Sequence, residues 1–251
     1  MDSPWLTSAA TGRDPAAVRL FCFAHAGGGT AFFRPWRSAL LPEVEVCPVR
    51  LPGRESRHLE PAYTRMHRLI EPLVAALRPY ADRPFAVFGH SMGAAVAYEV
   101  ARRFCAEPAD GPLQRLLVSG RRAPHLAARR RPIAHAPQEE FLAAVRQLGG
   151  TPEEVFDQPD LVRLFLPGMR ADFELNETYA PADGPRLTCP VSAFTGDRDP
   201  EVTPAEMGRW RETTDVAFRL RVFTGGHFYL SGPRTELVRE IRSDLLQAVP
   251  M

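Results

Sequence analysis

The 251-residue chain contains no lysine; all thirty-one of its Lys and Arg positions are arginine. That absence excludes every chemistry built on a lysine amine: a P-loop lysine, a Schiff base to pyridoxal phosphate, or a Ser-Lys dyad. Codon bias is the simplest source of the gap, and the exclusions hold whatever its origin. An excess of one charge is lacking too. Thirty-one basic against thirty acidic residues leave a formal charge of +1, too little to steer the protein towards nucleic acid or a membrane surface. No apolar run reaches the roughly 18 residues of a membrane span. The four cysteines (Cys22, Cys47, Cys105, Cys189) lie far apart with no C-x-x-C pair. A zinc ribbon or dithiol motif is therefore unsupported, and the thiols read as small buried hydrophobes in a reducing compartment. Met1 to Pro15 has an early Asp2 and no apolar core, unlike a signal peptide, and is expected to lack regular structure. These exclusions lead to the expectation of a soluble, cytoplasmic protein.

What remains is ordinary globular composition, 45% hydrophobic and 24% charged, on a length that one α/β domain can occupy. Val18–Phe23, Val44–Val49, Phe85–Phe88, Leu113–Ser119, Val191–Thr195 and Phe218–Phe223 read as strands. Between the second and third, residues 64–80 carry Met66, Leu69, Ile70, Leu73, Val74 and Leu77 at the spacing of one helical face. Residues 92–105 form a second such stripe through Val96, Val100 and Phe104. Thr203-Pro204-Ala205-Glu206 has the pattern of a capping box with proline at the first helical position, and a final helix is expected over 235–248. This alternation predicts an α/β fold: a mostly parallel sheet flanked by helices, in one domain over residues 16–251.

The alternation is interrupted once. Between Ser119 and Val191 no segment reads as a strand, and short helices are expected over 138–148, 152–156 and 161–176, the second opened by a Thr151 cap. A helical insertion of this length, about residues 124–181, is expected to form a lid or binding element. Its apolar positions, Phe141, Leu142, Val145, Leu161, Leu164, Phe165 and Phe173, either line a chamber or form the lid's own core. Arg121, Arg122 and Arg129–Arg131 read either as a solvated face or as a docking patch for an acidic partner.

The sharpest chemical signal is Gly89-His90-Ser91-Met92-Gly93, placed between an expected strand and an expected helix. A nucleophile elbow needs that context, with small flanking residues because the turn is tight. Ser91 is the candidate nucleophile, and the Met92 N–H at the helix start is a candidate oxyanion donor. Of seven histidines, His227 follows the last expected strand and is the candidate base, since sites assemble at the carboxyl ends of parallel strands. His90 reads as structural. Asp199, in the loop after the fifth strand, is the candidate acid that orients His227, with Asp197 as its competitor. His25-Ala26-Gly27-Gly28-Gly29 supplies the second candidate oxyanion donor, the Ala26 N–H. A dinucleotide loop is excluded there because Phe32 stands where a third glycine belongs. The order serine, acid, histidine is that of α/β-hydrolases. No metal-ligand spacing is present.

Phe23 to Gly29 with Phe32-Phe33 and Trp36, Leu51-Pro52-Gly53-Arg54-Glu55, Gly89 to Ala94, and Gly226 to Leu230 resemble the type II thioesterases of polyketide and nonribosomal peptide synthesis. The likeness runs from Val18 to the last helix. It is weaker in the insertion, where Met169 to Phe173 and Tyr179 carry it. The resemblance implies an α/β-hydrolase with a helical lid, acting as a monomer without a cofactor of its own. It would hydrolyse acyl groups from the phosphopantetheine arm of an acyl or peptidyl carrier protein, through Ser91, Asp199 and His227. Phe165, Phe173 and Phe228 are the candidate substrate contacts. An esterase or lipase acting on oxygen esters, an acyltransferase, and a hydrolase-fold protein that only binds a ligand remain as alternatives.

Overall fold

The computed structural model describes residues 3–7, 16–106, 113–231 and 235–246. Six strands, β1 (Val18–Phe23), β2 (Val44–Pro48), β3 (Phe85–His90), β4 (Leu113–Ser119), β5 (Val191–Gly196) and β6 (Phe218–Phe223), form one sheet in the order β2-β1-β3-β4-β5-β6. Every pairing is parallel. Strands β1, β2, β3 and β5 are buried along their whole length. This is why they read as continuous apolar runs rather than alternating ones. The departures from apolarity pair with each other: Arg19 on β1 is in register with Glu45 on β2 and donates to it at 2.9 Å.

Helices cover both faces. α2 (Met66–Leu77) and α3 (Met92–Cys105) pack on one side, in a core with Phe21, Val87, Leu116 and Trp210. α1 (Arg34–Leu40) and α8 (Thr235–Leu246) pack on the other, with Trp36, Phe88, Tyr229 and Ile241. The chain leaves β1 towards β2 on one side and returns to β3 on the other. The switch point, where ligands bind in such sheets, therefore lies between the ends of β1 and β3. α7 (Pro204–Gly208) starts with the expected capping box, Thr203 and Glu206 bonding reciprocally.

The insertion carries α4 (Gln138–Leu148), α5 (Glu153–Phe156) and α6 (Pro159–Glu177). Phe141, Val145 and Met169 form a small core there, with Leu142 and Phe173 against it. The expected Thr151 cap is absent: Pro152 occupies the N-cap of α5 without a side-chain bond. Thr151 instead lines the cavity described below. The expectation for Met1 to Pro15 also needs correction at residues 3–7. Leu6 bridges Val49, the Arg50 N–H donates to Trp5 O at 2.7 Å, and the buried Trp5 carries the Arg57 guanidinium 4.2 Å over its ring. The buried Trp5 and Leu6 side chains and these backbone bonds hold residues 3–7 against the end of strand β2. The rest of that segment lies outside the described residues, as do positions 247 and 248 of the final expected helix.

Candidate active site

Ser91 sits at the bend between β3 and α3 with φ 55° and ψ −116°, a conformation non-glycine residues rarely adopt and one held by its surroundings. Its N–H donates to Ser119 O at the end of β4, 2.8 Å away. The flanking glycines are required by space: a Cβ on Gly89 would lie 2.0 Å from Gly93 O, and one on Gly93 2.2 Å from Phe23 O. Met92 opens α3, so its N–H lies at the end of the helix where no preceding carbonyl is in reach.

The parallel register brings the loops after β3, β4, β5 and β6 to one edge. There Asp199, its side chain withdrawn from solvent, faces His227: Nδ1 lies 3.0 Å from Oδ1 and 2.9 Å from Oδ2. The Glu201 N–H donates to Oδ1 at 2.8 Å. Asp197 is exposed and does something else. Its Oδ1 accepts the Gly225 N–H at 2.8 Å, tying the β5 loop to the β6 loop. That bond, aided by the Arg198 charge, holds its carboxyl below the usual range. Of the two aspartates, only Asp199 is bonded to His227.

Three imidazoles cluster behind the bend. The His90 ring is centred 4.9 Å from His227 and 6.0 Å from His25. Its Nδ1 bonds Ser119 Oγ at 3.0 Å, and that hydroxyl bonds Tyr229 OH at 2.7 Å, so His90 is structural, as expected. Gly120, at φ +60°, is the hinge of this packing, since a Cβ there would lie 2.6 Å from His90 Cε1. Burial, reinforced by the charge of His227, holds His90 well below the ordinary imidazole value. His25 is pushed down to about 3 by burial first, then by His227 and Arg54. An unfolded chain protonates both near pH 6.5. Their contribution to stability is therefore complete above that pH and is lost as pH falls towards their folded values. Unfolding free energy should drop between pH 6.5 and 5 with a slope approaching about 1.4 kcal/mol per pH unit for each histidine. His25→Phe should flatten that slope in urea titrations at the two pH values. An unchanged slope would assign the acid sensitivity elsewhere.

Ser91, His227, Ala26 and His25 line one cavity of about 70 Å³, closed by Val145, Leu148 and Phe173 of the lid and by Phe228. Two expectations fail here. Phe165 is 47% exposed and faces a crevice between α5 and α6, because it lies on the outer side of α6. Arg121 is buried, donating to Asn176 Oδ1 and lying 5.4 Å over the Tyr179 ring, with its pKa lowered to about 10 by burial. Arg121 is therefore not a surface docking group. Asn176 and Glu201 line the cavity and were not anticipated. Asn176 continues the 3–4 spacing of Met169, Asp172 and Phe173 on α6 and so shares the face that carries Phe173, which was the available signal. Among the described residues no group of three His, Cys, Asp or Glu side chains is arranged to hold a metal.

Sheet order, the bend at Ser91 and the buried Asp199–His227 pair are those of an α/β-hydrolase. Residues 18–245 match the thioesterase domain family, and the chain belongs to that family. Thioesterase PikA5 of Streptomyces venezuelae is 42% identical over 233 residues, which cover 92% of this chain and 82% of that protein. The solved type II thioesterase BorB from the borrelidin biosynthetic cluster is 41% identical, with a TM-score of 0.88 over 98% of this chain and 99% of BorB. A Brevibacillus parabrevis relative that is 40% identical over 246 residues, 97% of this chain and 93% of its own, bears the name linear gramicidin dehydrogenase LgrE. In the present chain the glycine loop after β1 does not fit a dinucleotide fingerprint, Phe32 standing at the third glycine position.

Proposed function

We infer that the chain hydrolyses acyl thioesters borne on the phosphopantetheine arm of an acyl or peptidyl carrier protein in polyketide or nonribosomal peptide synthesis. The observation that carries this reading is the single cavity shared by Ser91 on its tight bend and by His227 bonded to a buried Asp199. Ser91 Oγ attacks the thioester carbonyl while His227 takes its proton, and the Ala26 and Met92 N–H groups hold the oxyanion. The C–S bond then breaks, and the thiolate leaves with the proton from His227. Water activated by the same imidazole cleaves the acyl-serine, giving a free acid and regenerated Ser91. Asp199 keeps the imidazole in the working tautomer and offsets its charge. The relatives named as biosynthetic thioesterases support the substrate class. Matched acyl-carrier thioesters and oxygen esters, assayed side by side, test the reading. Preference for the oxygen ester would replace it with an esterase.

The free cysteines among the described residues, Cys22, Cys47, Cys105 and Cys189, support work in the reducing cytoplasm. Beside the Ser91 cavity lies a second one of about 280 Å³, lined by Arg122 and Arg129–Arg131, which shares Leu148, Phe173, Asn176 and Glu201 with the first. A basic approach next to the serine suits an acidic carrier and its phosphate-bearing arm. Arg129 and Arg130 are paired with Glu206 (2.8 Å) and Glu201 (2.6 Å), while Arg131 is exposed. Arg131→Gln should raise KM for a carrier-bound substrate roughly two- to fivefold and leave a small pantetheine thioester unaffected. Added salt should erase the difference. Equal effects on both substrates would reject docking at this face.

A further inference from the structure

Lid helix α6 is seated on the loop that carries Ala26. Gly168 lets the helix approach the neighbouring loop after β2, since a Cβ there would lie 2.7 Å from Gly53 O, and Met169 rests against Gly27 of the Ala26 loop, where a Cβ would lie 3.1 Å from its Cε. One turn further along, the buried Asp172 bonds that loop directly. Its Oδ2 accepts the Gly27 N–H at 2.7 Å, and its Oδ1 accepts Arg54 Nη2 at 2.5 Å. Arg54 closes the ring by donating from Nη1 to Gly28 O at 2.8 Å. From the other side Glu55 accepts the Thr30 N–H at 2.6 Å and is itself held by Arg50 at 3.0 Å.

The loop so gripped is a single tight turn. His25 to Gly28 is a β-turn closed by the Gly28 N–H on His25 O, 2.9 Å, with Gly27 at φ +74° in its third position. A positive φ there is the type II requirement, and types I and II differ chiefly in which way the central peptide, here Ala26–Gly27, is turned. With the Gly27 N–H committed to Asp172, that peptide has one orientation. We propose that Asp172 is a positioning residue: bonded to the Gly27 N–H and, through Arg54, to Gly28 O, it anchors the far half of this turn and so fixes where the turn holds the preceding peptide and its Ala26 N–H for the oxyanion. Seating of α6 thereby becomes a condition of turnover. The proposal rests on the reading of Ser91 as the nucleophile and adds to it the part that prepares the second donor. The buried pairing matters because removing either partner strands a charge in the interior.

The test compares wild type with Asp172→Ala, Asp172→Asn and Arg54→Gln. Each is measured on one acyl-pantetheine thioester and with an alkyl boronic acid, whose boron becomes tetrahedral on the serine oxygen and fills the oxyanion position. Asp172→Ala should lower kcat on the order of 10- to 100-fold with KM within about threefold of wild type. Its boronate Ki should rise by the same factor as kcat falls. Asp172→Asn, which keeps an acceptor for the Gly27 N–H, should lie between. A residue that only braces the lid would change KM or the folded fraction and leave boronate affinity per folded site alone. That result, or a folded Asp172→Ala with wild-type kcat and Ki, overturns the proposal. If Asp172→Ala does not fold, the same two ratios in Asp172→Asn and Arg54→Gln decide. A wild type that neither turns over thioester nor is labelled at Ser91 by a fluorophosphonate rejects the nucleophile reading and this proposal with it. Labelled, active wild type with unaffected variants rejects the positioning role alone.

Discussion

Ser91→Ala is expected to reduce thioester turnover by at least about four orders of magnitude, leaving only the background that binding and the oxyanion donors supply. The substitution removes one oxygen and nothing that shapes the bend. The N–H of residue 91 still reaches Ser119 O, and the contacts that force Gly89 and Gly93 together are untouched. Alanine also shares serine's discomfort at φ 55°, so no strain is relieved and thermal stability should stay within a few degrees of wild type. Fluorophosphonate labelling, read by intact mass, should be stoichiometric in wild type and absent in the variant. A folded Ser91→Ala preparation that keeps a tenth of wild-type kcat would remove Ser91 from the nucleophile's role.

The parts of the site that the sequence made legible are those set by local rules. A G-x-S-x-G between a strand and a helix has one compact way to fold, because its glycines must clear Gly93 O and Phe23 O. The buried parallel strands declared themselves as unbroken apolar runs, and α7 by its capping box. What was illegible depends on contacts between distant segments. Phe165 and Phe173 lie on the same helix and both look like chamber residues, yet only Phe173 faces Ser91. The rotation of α6 that decides between them is fixed by Asp172 and Arg54, 118 residues apart. Arg121 looked like part of a surface run because nothing in the local sequence reveals Asn176 and Tyr179 closing over it. Trp5 sat in a polar segment that local patterning cannot connect to Val49 and Arg57. Choosing between Asp197 and Asp199 likewise needed the β6 loop in place, since each bonds a different residue of it.

Asp199→Asn should lower kcat by about three to four orders of magnitude, and the environment of the carboxylate gives the reason. Oδ1 accepts the Glu201 N–H at 2.8 Å, while both oxygens lie within 3.0 Å of His227 Nδ1. An asparagine will keep its own oxygen on the Glu201 N–H, because the reverse would set two donors face to face in a buried site. Its amide NH₂ then points at Nδ1. That nitrogen must become the acceptor, and the imidazole proton moves to Nε2, the nitrogen that has to take the proton from Ser91. The base is present but in the wrong tautomer. The exchange is nearly isosteric, so the fold survives and KM should change little. Asp197→Asn is different: the retained oxygen still accepts the Gly225 N–H, and His227 is not its partner. Turnover there should stay within about threefold of wild type. The measurement is kcat for both variants on one acyl-carrier substrate, with melting curves to show that each is folded. Loss confined to Asp197→Asn would move the orienting role to that residue, and comparable losses in both would mean that loop geometry, not the tautomer of His227, limits the reaction.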